Sequence, residues 1–197
     1  MRFLGIPQEK IHVVHEAPRK IFKKLETGDW KLEIKKRYGL PNRFVLYVGD
    51  VNYNKNILGL AEACKIAKTP LVIVGKQAAN EKVDLSHPEN QLFAEFLEKY
   101  GKDSGILRLG FVPDEDLVAI YNSAVVYCQP SFYEGFGLPV LEAMACGTPV
   151  VAAKTQALVE MADKAAFFTD PKKPEDMAEK ISELLENSEL RAQLIRK

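Results

Sequence analysis

From Phe44 onward, short apolar runs alternate with segments whose apolar residues recur every three or four positions. The runs Phe44–Val48, Leu71–Val74, Ile106–Leu109, Val125–Cys128, Pro149–Ala152 and Ala166–Phe168 are apolar almost throughout. That pattern predicts parallel strands covered on both faces, since a half-solvated strand would alternate with polar residues. Between them the spacing predicts helices over Asn56–Ala67, Asn90–Tyr100, Asp114–Ser123 and Leu138–Cys146. A last helix over Pro174–Asn187 sets Met177, Ala178, Ile181, Leu184 and Leu185 on one stripe. Strand and helix in regular turn indicate an α/β fold, a doubly wound, Rossmann-like parallel sheet. Pro139 fits a first helical turn, and Gly147-Thr148-Pro149 stops that helix and launches the next strand. Pro113-Asp114 and Pro174-Glu175 open helices with acidic first turns.

Residues 1–41 break this rhythm and read as a lead-in or interdomain segment before a Rossmann-like domain at 42–197. Within it, Ile11–Val14 is predicted as an edge strand and Lys31–Tyr38 as a short helix ended by Gly39. Met1-Arg2-Phe3-Leu4 running straight into Gly5-Ile6-Pro7 does not read as the start of a natural domain, and Leu190–Lys197 reads as a helix cut off mid-run. The sequence therefore reads as a piece of a longer protein.

Lysine plus arginine equals aspartate plus glutamate at 27 each among 197 residues, a neutral balance that gives no support to nucleic-acid binding. No apolar run approaches the roughly 20 residues that cross a bilayer. The N-terminus also lacks the apolar core of a signal peptide. Cys64, Cys128 and Cys146 are widely spaced without a CxxC and read as free core thiols in a reducing cytosol.

Ligands of open α/β sheets bind beyond the carboxyl ends of the strands, where three segments converge. These are Val48-Gly49-Asp50-Val51-Asn52-Tyr53-Asn54-Lys55-Asn56, Val74-Gly75-Lys76, and Pro130-Ser131-Phe132-Tyr133-Glu134-Gly135-Phe136-Gly137. Gly49 and Gly75 would admit a ligand close to the backbone, and Lys55 could reach a phosphate as a point charge. Taken singly, each turn also reads as an ordinary βα connection with a solvated lysine. Glu134 and Glu142 stand eight residues apart, one in the turn and one on the helix from Leu138. They set two acceptors around a helix N-terminus that favours an anion, an arrangement suited to a nucleotide sugar.

Other constellations carry less. Gly135-x-Gly137 does not extend to GxGxxG, because Val140 stands at the third position. Asp114-Glu115-Asp116 formally offers a metal-binding DxD but falls at a helix N-terminus, where acidic residues complement the dipole. His12, His15 and His87 have no zinc spacing, and Ser131 lacks a glycine elbow.

The segment Glu134-Gly135-Phe136-Gly137-Leu138-Pro139-Val140-Leu141-Glu142-Ala143-Met144, with Ala145-Cys146-Gly147-Thr148-Pro149-Val150-Val151, closely resembles the signature of GT-B fold retaining glycosyltransferases, family 4. Val45-Leu46-Tyr47-Val48-Gly49 with Lys55-Asn56, Leu71–Gly75, Gly110-Phe111-Val112-Pro113-Asp114 and Asp170-Pro171 extend the likeness over about Ile11 to Asn187. It implies the C-terminal, donor-binding half of a two-domain enzyme that moves a hexose from a UDP- or GDP-sugar to a glycan or lipid-linked acceptor. On the resemblance, Glu142 binds the ribose hydroxyls, and Glu134 with Gly135, Phe136 and Gly137 holds the transferred sugar. N–H groups around Gly137 and Leu138 meet the diphosphate, and Lys55 offsets its charge as it leaves, so that no metal or other cofactor is expected. Glu134 and Lys55 are then the catalytic pair, with Gly49, Asp50 and Gly75 lining the donor site.

The implied partner is an N-terminal acceptor domain, so the isolated chain is expected to bind donor weakly and transfer nothing. The implied setting is cytoplasmic, at the inner face of a membrane only through that other domain. Asp50 departs from the pattern, which usually has an arginine there; a carboxylate would repel the diphosphate unless it pairs with Lys55 or turns away. The loop Ala153-Lys154-Thr155-Gln156-Ala157 is also less glycine-rich than usual. A non-catalytic nucleotide-binding module on the same fold is the alternative. A GT-B phosphorylase would need a pyridoxal phosphate lysine motif that the sequence lacks.

Overall fold

The computed structural model describes residues 5–84 and 86–197; Met1 to Leu4, singled out above, lie outside them. Six strands form one parallel sheet: β1 Val45–Val48, β2 Leu71–Val74, β3 Ile106–Leu109, β4 Val126–Gln129, β5 Val150–Ala153 and β6 Ala166–Thr169. Their order is β3-β2-β1-β4-β5-β6, with Val45 in register with both Leu71 and Val126. The predicted doubly wound α/β fold is what forms. Three strands, β1, β4 and β5, start one residue later than predicted. Pro149 has no N–H to give the ladder, so its carbonyl accepts from Tyr127 N (2.9 Å) and β5 begins at Val150.

Around the sheet lie α1 Trp30–Tyr38, α2 Ile57–Ile66, α3 Gln91–Tyr100, α4 Asp114–Ser123, α5 Leu138–Ala145, α6 Gln156–Ala162, α7 Pro174–Glu186 and α8 Ser188–Ile195. Successive strand residues feed opposite cores, as a two-residue period requires. Leu46, Val72, Tyr127 and Val150 pack with α1, α4, α5 and α6, whereas Val45, Ile73, Cys128 and Val151 pack with α2, α3 and α7. The stripe Met177, Ala178, Ile181 and Leu184 is buried as predicted. Cys64, Cys128 and Cys146 are buried free thiols, the first two pushed up in pKa by burial.

Three differences from expectation have local causes. The edge strand at Ile11–Val14 does not form; the stretch lies outside the sheet with Val13 77% and Val14 86% exposed. Helix α6 was not predicted, because its buried contribution is one short turn, Leu158 and Ala162. Asn56 takes a left-handed φ of 52°, so α2 starts at Ile57 after a 3-10 turn over Tyr53–Lys55. From residue 19 the lead-in packs onto the domain. Phe22, Ile34 and Leu40 enter the core, Arg19 pairs with Asp114, and Arg37 with Asp116 (2.8 Å).

Candidate functional site

The strand order reverses between β1 and β4, and the connections leaving those two strands are stitched together at that switch point. Phe132 N donates to Asn54 O (2.8 Å), Asn54 Nδ2 to Tyr133 O (3.3 Å) and Asn56 Nδ2 to Pro130 O (3.0 Å). The Tyr53 and Phe132 rings meet at 5.5 Å. A crevice outside the carboxyl ends at such a reversal is where open α/β sheets hold ligands. Here Lys55 Nζ lies 2.9 and 3.0 Å from the two carboxylate oxygens of Glu134, whose side chain is only 9% exposed. The predicted pair is therefore brought into direct contact.

Asp50 does not join it. Its side chain is exposed and makes no ion pair among the described residues, while its carbonyl accepts from the Tyr47 hydroxyl (2.6 Å). The two strand-end glycines are used by the fold itself. A Cβ on Gly75 would stand 2.1 Å from Gly49 O, and one on Gly49 would stand 2.8 Å from the Tyr47 hydroxyl oxygen. Gly135 differs: nothing lies within 4 Å of where its Cβ would be, so the turn is open at this point.

Gly137 holds φ at 100°, and a Cβ there would meet Leu158 Cδ2 at 2.5 Å, so only glycine can deliver the chain into α5. Pro139 has no N–H and Val140 N bonds Gly137 O (2.9 Å). Of the first three helical positions, Leu138 is then the one whose N–H has no acceptor among the described residues. Phe136 lines a cavity of about 190 Å³ with Gly135, Val13, Val14 and His15. The segment expected to be an edge strand thus borders this turn, and His15 lies where the sequence gave no reason to place it.

Glu142 accepts from the Tyr121 hydroxyl (3.0 Å). Burial holds its carboxyl above the usual glutamate range, against the lowering effects of that bond and of the Arg19 charge. Phe22 meets Tyr121 edge-on at 5.8 Å and carries the Arg19 guanidinium 5.2 Å above its own ring, so the lead-in braces this corner. Asp114-Glu115-Asp116 forms the first turn of α4, at the helix N-terminus where the sequence put it. Asp114 is bound by Arg19 and held below the usual carboxylate range by it, and Asp116 accepts from Arg37 (2.8 Å) and Tyr38 (2.6 Å). Sequence reasoning assigned no site role to Gln129 or Tyr121, and considered Ser131 as part of the turn and as a nucleophile but not as a partner of Glu134. Both Gln129 Nε2 and Ser131 Oγ bond Glu134 Oε1 at 2.7 Å.

Among the described residues, no helix is long and apolar enough to cross a membrane. Residues 30–197 match the family described as Glycosyl transferases group 1. The O-antigen chain mannosyltransferase B of Escherichia coli is 37% identical over 134 residues, which cover 65% of this chain and 33% of that protein. The chain thus spans about a third of the length of that curated relative. In solved structures the fold recurs in the C-terminal domain of a glycosyl transferase group 1 family protein (LpcC) from Francisella tularensis. The TM-score is 0.70 at 22% identity, over 92% of this chain and 93% of that one. It recurs also in Anabaena HepE in complex with UDP and glucose, with a TM-score of 0.77 at 22% identity over 97% of this chain and 51% of HepE. With the match running from α1 to the last residue, and with the fold and the glutamate-flanked turn in place, the chain belongs to the group 1 glycosyltransferase family.

Proposed function

We propose that this chain binds a nucleotide diphosphate sugar at the β1–β4 switch point and is the donor-binding part of a retaining hexosyltransferase. The observation that carries this is the Lys55–Glu134 contact beside the open Gly135 turn and the start of α5. It sets one cation from the β1 exit against one acceptor in the β4 exit, beside the Leu138 N–H that has no acceptor among the described residues. Lys55 supplies positive charge to a diphosphate, and the Leu138 N–H at the positive end of α5 adds to it. Glu134 then accepts from a sugar hydroxyl, and Glu142 from the ribose. Asp50 faces solvent, which leaves Lys55 and α5 to hold the phosphates without an arginine.

The mannosyltransferase relative and the UDP and glucose held by HepE make GDP-mannose and UDP-glucose the donors to test first. Acceptor binding belongs to a partner domain in this reading, and no metal takes part in it. Asp50 in place of the arginine usual at that position favours the second reading, a nucleotide-binding module without transfer.

Calorimetric titration of the chain with UDP, GDP, UDP-glucose and GDP-mannose tests the proposal. Binding of one nucleotide, tightened by its sugar, is expected. Absence of binding by all four to the folded chain overturns it, and a nucleotide that binds equally with and without its sugar favours the second reading. Sugar transfer by this chain alone would overturn the assignment of the acceptor site to another domain.

A further inference from the structure

Tyr127, Gln129 and Ser131 occupy alternate positions along β4 and its exit, so they share one face of the strand. They form a buried polar file. The Tyr127 hydroxyl donates to Gln129 Oε1, Gln129 Nε2 donates to Ser131 Oγ (2.9 Å), and Ser131 Oγ donates to Glu134 Oε1 (2.7 Å). Gln129 is 2% exposed and Ser131 is 0% exposed. Direction along the file is set by charge. An ionised carboxylate only accepts, so Ser131 must spend its single proton on Glu134, and Gln129 must present its amide hydrogens, not its carbonyl. Tyr127 can then satisfy Gln129 Oε1 only as a donor. Polar side chains buried to this degree are costly unless fully bonded, and here each is.

The two oxygens of Glu134 are left unequal. Oε1 accepts from Gln129 (2.7 Å), Ser131 (2.7 Å) and Lys55 (2.9 Å), more donors than it has lone pairs. Among the described residues, Oε2 accepts from Lys55 alone (3.0 Å). We propose that Tyr127, Gln129 and Ser131 are positioning residues that lock Glu134 with Oε1 saturated and Oε2 turned to the sugar. Glu134 then keeps its orientation when Lys55 is drawn to the diphosphate, and one sugar hydroxyl is read by one oxygen. This rests on the nucleotide-sugar reading above.

The test compares each nucleoside diphosphate with its sugar-bearing form by calorimetry, in the wild-type chain, Ser131→Ala and Gln129→Met. Expected is a loss of about tenfold in affinity for the sugar nucleotide, the scale of a hydrogen bond to a charged group, with the bare diphosphate changed less than about twofold. In a Glu134→Ala background, Ser131→Ala should change neither affinity, since the file then has nothing to position. Equal losses for both ligands, or the full sugar-specific loss in the Glu134→Ala background, would overturn the inference. Should Gln129→Met fail to fold, Ser131→Ala, which deletes one oxygen atom, decides alone. A wild-type chain that binds none of the ligands, or binds both forms equally, withdraws the sugar reading itself and the inference with it.

Discussion

Glu134 and Glu142 bracket one turn and carry the same carboxylate, but their surroundings differ. Glu134, in the turn, is gripped by Lys55, Gln129 and Ser131 from two strands' exits. Glu142, on α5, has one bond from Tyr121 and is pushed toward its neutral form by burial. A carboxylate with a cation and two neutral donors is stable in place and pre-oriented. One that is half-buried with a single protein donor among the described residues is less constrained and keeps acceptor capacity free. The fold thus fixes one glutamate in place and leaves the other less tightly held.

Removing Lys55 should break this contrast most. Lys55→Ala leaves Glu134 charged and nearly buried without its counter-ion, so unfolding should cost about 2 kcal/mol less in thermal or urea denaturation. Gln129 and Ser131 keep the loss below that of a wholly stranded charge. The same change should weaken nucleoside diphosphates at least about tenfold and the bare nucleoside little, because the lost charge is aimed at phosphate. Equal losses for both ligands would place Lys55 away from the phosphates. Combining it with Glu134→Gln should recover most of the stability.

Glu142→Gln sharpens the other side. Ribonucleotide binding should weaken by about 1–3 kcal/mol, and the 2′-deoxy analogue should discriminate poorly between the two proteins. If the wild type binds the deoxy analogue as tightly as the ribonucleotide, the ribose role fails. The free protein should respond in the opposite sense. A carboxyl held above its unfolded value favours the protonated fold, so its stabilising effect is present below the unfolded pKa and is lost as pH rises through the folded one. Glu142→Gln should therefore be more stable than wild type near neutral pH, by no more than about 0.5 kcal/mol given its exposure, and the gain should disappear in acid. Melting curves across that range check the sign.

The smallest effect on the fold is expected from Gly135→Ala. Open space surrounds the added methyl, so the melting temperature should hold within about 1 °C, while donor affinity falls several-fold by obstruction. Unchanged donor binding would show that no ligand passes over Gly135.

Much of the fold was legible because the strands are apolar almost throughout and the last long helix has a clear stripe at Met177, Ala178, Ile181 and Leu184. Where periodicity was short or the partner distant, it failed. Ile11–Val14 has strand-forming residues but no strand to pair with, and α6 buries only Leu158 and Ala162. The candidate site was legible at its charged and glycine positions. It was not legible at Gln129, because an apolar-run criterion closes the strand at Cys128, although the alternation Tyr127, Gln129, Ser131 is present in the sequence. Nor could the sequence show that Gly75 serves Gly49 through backbone contact.

By itself the sequence determined the α/β alternation, the turn that feeds α5, and the residue types that can meet a phosphate and a sugar. Those follow from local chemistry: hydrophobic period, glycine conformation, proline punctuation and charge. Tertiary structure alone decided that Lys55 meets Glu134, 79 residues away, while Asp50 does not. That pairing depends on β4 lying beside β1, a neighbour relation that alternation of strands and helices does not specify. Burial then gave the two glutamates their different environments, because desolvation and partner count are properties of the packed chain.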